Sequence, residues 1–247
     1  MVQLFSRQAN QEHWLPWQRE AMSAFAAKMA DRSRLFPCIP AVQAYALDDL
    51  RYGFASDPRS ETAAQELAAL LAEFAETSRQ IGNDAALVVF FDTPAELADG
   101  YTVAQFEELF WQLLRQTSAL DVRGWLDVVP LDPNDPLWEF CFHRERFFMY
   151  CATPAHRKRQ SRHFPWFMLA ATPRWVLEQF YAEPVKAEKI KQRIRERLGR
   201  YDTAPVHPDL NSYGNPDNYE WKQYFLRDDE TSLPACPFQR ASSSNPP

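Results

Sequence analysis

The sequence predicts an α+β fold, a single domain in which helices cover an antiparallel or mixed β-sheet. Two observations carry that prediction. Stretches with helical spacing of apolar residues are interspersed with short, dense apolar runs bounded by proline and turn residues. Residues 138–151 also read as a hairpin: Trp138 to Phe142 and Phe147 to Cys151 are aromatic enough for a pleated surface, and the polar His143-Arg144-Glu145-Arg146 between them suits a turn. With 247 residues and no internal repeat, the chain is long enough to bury one substantial core, assigned to residues 1–231, with a loose tail over 232–247.

From the N-terminus, Trp14, Leu15, Trp17, Ala21, Met22, Phe25 and Met29 recur at helical intervals and predict an amphipathic helix within 11–31. Pro37 and Pro40 disfavour a helix over Arg34 to Ala41, so an extended segment is expected there, with Cys38 available to line a pocket. The Ala-, Leu- and Glu-rich stretch over 60–80 places Leu67, Leu70, Leu71 and Phe74 on one helical face. Leu87 to Phe91 reads as a buried strand stopped by Asp92-Thr93-Pro94, and Thr102 to Ser118 as a helix with Phe106, Leu109, Phe110, Leu113 and Leu114 inward. Asp132-Pro133-Asn134-Asp135-Pro136 turns the chain into the hairpin. Trp166 to Ala171 is a strand beside it, Trp175 to Phe180 begins a helix, and Lys186 to Leu198 forms another whose Lys and Arg face solvent. The aromatic stretch Tyr213 to Leu226 is expected to fold back onto the body.

Composition narrows the chemistry. An aromatic fraction of 14% supplies large apolar surfaces for a core or a flat ligand pocket. Six glycines, with neither a G-x-G-x-x-G nor a Walker-type loop, set aside nucleotide chemistry carried by those motifs. Cys38, Cys141, Cys151 and Cys236 have no C-x-x-C spacing, which argues against a structural zinc site. Polar sequence follows the N-terminus and no run approaches a membrane span, so a cytoplasmic protein with reduced thiols is expected.

The chemistry concentrates just after the hairpin. Pro154 breaks the strand, and His156, Arg157, Lys158, Arg159, Arg162 and His163 follow. An imidazole among cations suits a bound anionic cofactor. The same run also suits a solvated face, or contact with nucleic-acid phosphates, though a net charge of −6 leaves no basic excess for the latter.

Three stretches taken together resemble the YqcI/YcgG family over about residues 30 to 229. They are Phe36-Pro37-Cys38 with Leu50-Arg51-Tyr52-Gly53-Phe54; Trp138-Glu139-Phe140 through Phe147-Phe148 with Pro154-Ala155-His156 and Arg159-Gln160-Ser161-Arg162; and Tyr213-Gly214-Asn215-Pro216 with Gln223-Tyr224-Phe225-Leu226. The resemblance implies chemistry at a haem iron, because some members are haem-dependent N-hydroxylases of arginine or other guanidine- or amine-bearing small molecules. The sequence looks most like the branch that includes the guanitoxin-pathway N-hydroxylase. On that footing haem b is the expected cofactor, with an external reductant and O2, or peroxide. His156 is the expected axial ligand, with His163 and His143 as alternatives and Cys38 as a weaker one, while Arg157, Arg159 and Arg162 pair with the propionates. Glu139, Asp49 and Asp48 are candidate contacts for the cation of the substrate, with Trp138 and Tyr52 as walls; the same residues also suit plain packing and solvated positions. The expected partners are a small guanidine or amine substrate and an electron donor, with no nucleic acid and no membrane; a homodimer stays open. A haem-binding carrier or sensor, with both axial positions closed by protein, is the alternative function, and a phosphate or nucleic-acid binding module using Arg157 to Arg162 is a third.

Overall fold

The computed structural model describes residues 3–238. Its sheet is mixed, built from β1 (Leu50–Ala55), β2 (Ala86–Phe91), β3 (Phe140–Phe142), β4 (Glu145–Ala152) and β5 (Met168–Pro173) in the order β1-β2-β5-β4-β3. β1 and β2 run parallel, joined through the helix Glu61–Thr77, and the remaining pairs are antiparallel. The hairpin turns more tightly than its four polar residues imply: His143 and Arg144, both at positive φ of 52° and 59°, make a two-residue turn whose twist matches the flanking strands, so β4 already starts at Glu145.

Eight helices accompany the strands among the described residues: α1 (Pro16–Ala30), α2 (Ile39–Leu47), α3 (Glu61–Thr77), α4 (Ala95–Gly100), α5 (Val103–Ala119), α6 (Arg174–Tyr181), α7 (Pro184–Tyr201) and α8 (Trp221–Tyr224). α2 corrects the last part, 39–41, of the extended reading of 34–41; residues 34–38 before it carry no helix. Pro40 stands in the first turn, where a missing N–H removes no intrahelical bond, so it starts a helix instead of preventing one. α5 begins as its sequence implies, with the Thr102 hydroxyl accepting from Gln105 N–H and the Gln105 side chain accepting from Thr102 N–H.

The period-2 pattern of the strands sorts the core into two layers. Leu87, Val89, Phe91, Phe147, Met149 and Cys151 face one side and pack with α3, α5 and α8. Gly53 lets α3 approach β1 closely, since a Cβ there would stand 2.6 Å from Leu70 Cδ1. Val88, Phe90, Ala152 and Met168 face the other side, with Phe25 and Met29 of α1 and Ala44 of α2.

The C-terminal stretch folds back onto the sheet. Tyr224 is fully buried, its hydroxyl accepting the Phe140 N–H at 3.0 Å and donating to the Phe147 carbonyl at 3.1 Å. Residues 232–238 of the expected tail carry no helix or strand, yet Phe238 is 4% exposed and packs on Trp125, Trp138 and Phe140. The remainder, 239–247, lies outside the described residues. Phe238→Ala should therefore cost about 3–5 kcal/mol of unfolding free energy, the usual range for emptying a buried phenylalanine site; urea unfolding checks it, and a loss near zero would show that the segment does not belong to the core.

Candidate functional site

The layer carrying α1 and α2 does not close over the sheet. α1 and α2 pack on β1 and β2, α6 packs on β4 and β5 and carries α7, and between these pairs a cleft of about 350 Å³ opens above the strands. Ala86 and Val88, Met168, Ala170 and Thr172, and Phe148 and Tyr150 form its floor, one face of β2, β5 and β4. The floor mixes the small Ala86 and Ala170 with the larger Met168, Phe148 and Tyr150, and Phe25, Met29, Phe164, Val176, Leu177 and Phe180 make the walls apolar. From Met168 to Thr172 the floor spans five residues, four steps and about 13 Å of strand.

At the Met168 end stand Lys28, Phe36, Cys38 and His163. The chain turns inward here because Thr153 and His163 bridge in parallel just beyond β4. His163 Nδ1 is buried without a hydrogen-bond partner, and burial, then the cations Lys28 and Arg157, hold the imidazole below its ordinary pKa. It is therefore neutral at pH 7, the state in which a ring nitrogen binds a metal. Lys28 Nζ donates to the His163 carbonyl at 2.7 Å and the Gln160 carbonyl at 3.1 Å, which fixes the backbone below the ring, and burial lowers the ammonium to about 8. Burial also raises the Cys38 thiol, keeping it protonated and a poor ligand.

Charge collects at the other end. Arg174, first residue of α6, is buried; its Nε donates to Glu139 Oε1 at 2.5 Å, its Nη2 contacts Glu139 Oε1 and donates to Glu220 Oε1 at 2.6 Å, and its guanidinium lies 3.8 Å from the Tyr213 ring centre. Arg174, Tyr213, Glu220 and Lys191 line the cleft, whereas Glu139 stands behind Arg174. Glu139 is wholly buried, its Oε2 lacks a hydrogen bond, and the nearest further cation is Arg146 Nη1 at 3.8 Å. Burial outweighs the pull of Arg174 and pushes Glu139 up to about 7; Glu220 is raised for the same reason.

Several expected site residues lie elsewhere. His156 is fully buried with both nitrogens engaged: Nε2 donates to the Leu226 carbonyl at 2.8 Å, and Nδ1 accepts from the Thr153 hydroxyl at 2.8 Å. Burial depresses it to about 4, so it is a neutral structural clamp with no nitrogen to offer a metal. Arg159 donates to the carbonyls of Arg227, Pro205 and Asp229, and Arg162 to those of Tyr224, Gln223 and Cys151, which leaves neither guanidinium for a propionate. The Arg157 side chain is exposed away from the cleft, and its N–H and that of Arg159 bind Asp228. His143 sits in the hairpin turn, 2.9 Å from Glu76, and Asp49 accepts from Asp84 N–H beside Gly82; neither lines the cleft. Trp138 is core and Tyr52 stacks in the α1 layer. Sequence reading missed Arg174, Glu220, Lys28 and Lys191. For Lys28 and Arg174 the signal was a charged residue inside an otherwise apolar neighbourhood, whereas Lys191 and Glu220 lie in polar stretches and carried none.

Among the described residues no group of three or more His, Cys, Asp or Glu could hold a metal ion by side chains alone, and no helix is long and apolar enough to cross a membrane.

The model of the YqcI/YcgG family matches residues 25–239. The chain is 48% identical over 228 residues to the uncharacterized protein YcgG of Bacillus subtilis, covering 92% of this chain and 90% of that protein. It is 46% identical to the uncharacterized protein YqcI of the same organism, covering 91% and 88%. At 30% identity, covering 90% and 84%, it is similar to a Streptomyces lavendulae protein named "putative N(omega)-hydroxy-L-arginine synthase DcsA". No solved structure matches the chain.

The buried Glu139 gives a pH test. Its folded pKa is raised from 4.5 to about 7, so its contribution to stability is full below pH 4.5 and is lost as pH rises toward 7. Glu139→Gln should therefore gain stability relative to wild type across pH 4.5 to 7, measured by denaturant unfolding at each pH; a difference that is flat with pH would contradict the assignment.

Proposed function

The chain belongs to the YqcI/YcgG family, and from that premise we propose that it is a haem-dependent monooxygenase that N-hydroxylates a small guanidine- or amine-bearing, arginine-like metabolite. The name of the Streptomyces relative supports the N-hydroxylation. The observation that carries the haem reading is the cleft itself: an apolar floor with one neutral imidazole, His163, in its lining, whose Nδ1 is buried without a hydrogen-bond partner.

The residues present fit haem b in other respects. Lys191 and Arg195 of α7 line the cleft and would pair with propionates by exchanging their present, less buried partners, Glu188 and Ser212 for Lys191 and the Leu210 carbonyl for Arg195. When bound, the haem would supply oxygen activation at its iron, with an external reductant and O2, or with peroxide. The chain's own part is to hold, orient and keep dry. His163 would hold the iron, and Lys28 holds the His163 backbone in place. Glu220 would take the cation of the substrate, with Tyr213 offering a ring face of the kind it already presents to Arg174. Arg174 would receive a substrate carboxylate while Glu139 fixes its direction from behind. The apolar walls exclude water around the reacting nitrogen.

The carrier or sensor reading would need a second donor from the protein. Among the described residues His163 is the one histidine lining the cleft, the Cys38 thiol is protonated and the Tyr150 hydroxyl donates to the Ser161 carbonyl, which leaves the Met29 and Met168 thioethers as the donors that reading would use.

Haem-loaded protein given arginine and related guanidines, with reductant and O2 or with peroxide, should form a product one oxygen atom heavier by mass spectrometry. Glu220→Gln should raise KM about tenfold or more with the haem spectrum intact, the loss of a charge-assisted bond worth about 1.5–3 kcal/mol. No product from any guanidine or amine with a fully loaded protein would contradict the reading.

A further inference from the structure

The helix that walls the cleft has a second face. α7 carries seven cationic side chains against two carboxylates, on a chain of net charge −6. Ala187, Lys191, Ile194 and Leu198 recur at spacings of four, three and four, and the last three line the cleft. Lys186, Lys189, Arg193, Arg197 and Arg200 recur at three, four, four and three on another face. Lys189, Arg193 and Arg200 are exposed, and among the described residues no carboxylate pairs with them; Lys186 meets Glu183 at 3.1 Å. Beyond the end of α7 the patch continues through Arg34, which donates to the Tyr201 carbonyl, and exposed Lys158, whose carbonyl accepts from Thr203.

We propose that this cationic face of α7 docks a small acidic electron-transfer protein, an iron–sulfur or flavin carrier, that reduces the group held in the cleft. The inference rests on the haem-oxygenase reading above. Charge and placement both point to that partner. Placing one atom of O2 into an N–H bond and reducing the other to water consumes two electrons and two protons, and the reduced carrier is the electron source. A carrier docked on α7 is separated from the cleft by one helix, about 10–12 Å thick with its side chains. Electron-transfer encounters are small and charge-steered, so a stripe of this size suffices. Nucleic acid fits less well, since the remainder of the chain is strongly acidic.

The test uses the full chain, an acidic plant-type 2Fe–2S ferredoxin as probe, and the double variant Lys189→Glu/Arg193→Glu, whose exposed sites leave the thermal melt unchanged. Stopped-flow reduction of the wild-type holoprotein should be fast at low salt and fall as salt rises, and the variant should be slower at low salt by about tenfold or more, converging at high salt. Reduction by dithionite should not differ. Binding of the oxidised ferredoxin to the chain as purified, read by calorimetry, should weaken likewise in the variant whether or not haem is present, which separates this inference from the haem reading. Equal rates and equal binding for the two proteins would overturn it. So would an RNA oligonucleotide that binds the wild type more tightly than ferredoxin and loses that binding in the variant.

Discussion

The burial of Arg162 organises the region that matters. A guanidinium taken out of water must have its donors met, and Arg162 meets them with the carbonyls of Cys151, Gln223 and Tyr224 while lying 4.2 Å from the Tyr150 ring centre. This ties the end of β4, the loop after it and the returning C-terminal stretch into one unit. Arg159 repeats the device on the carbonyls of Pro205, Arg227 and Asp229. With Arg162 turned toward the C-terminal stretch, its neighbour His163 faces the cleft. Within a basic run that looks like a surface, Arg159 and Arg162 are thus internal fastenings while Arg157 and Lys158 stay exposed, and the next residue, His163, lines the cleft.

That inversion explains which features were legible. Periodicity carried the helices, the buried strand Leu87 to Phe91 and the hairpin, because amphipathic spacing and dense aromatic runs have direct structural consequences. Pro40 misled because proline's effect depends on its position in a helix, which composition does not reveal. The site was harder. Whether His156 or His163 faces a cavity depends on which carbonyls the nearby arginines and imidazoles find, and those include Pro205 and residues 223–229, far along the chain. Glu139 was singled out from its setting, but its partner Arg174 lies 35 residues away and Glu220 46 further on, beyond any local signal.

The cleft joins two unlike environments on one rigid floor. One end is apolar around a neutral imidazole, and the other concentrates buried carboxylates around Arg174 and Tyr213. A planar apolar group and a small charged molecule would need these two settings side by side, and β5, paired antiparallel on both edges, runs between them. α7 lines the cleft with Lys191, Ile194 and Leu198 while Lys189, Arg193 and Arg200 are exposed, so one helix would link the cleft to the proposed partner.

The central claim is that this cleft holds haem through His163. The most direct measurement is the absorption spectrum of the chain from cells supplied with haem precursor, recorded as isolated and after reduction under carbon monoxide, beside His163→Ala. A stoichiometric Soret band that shifts with carbon monoxide in the wild type, and is lost in a folded His163→Ala, is the predicted result. A folded wild-type chain that takes up no haem, or a His163→Ala variant that keeps the full band, would contradict it.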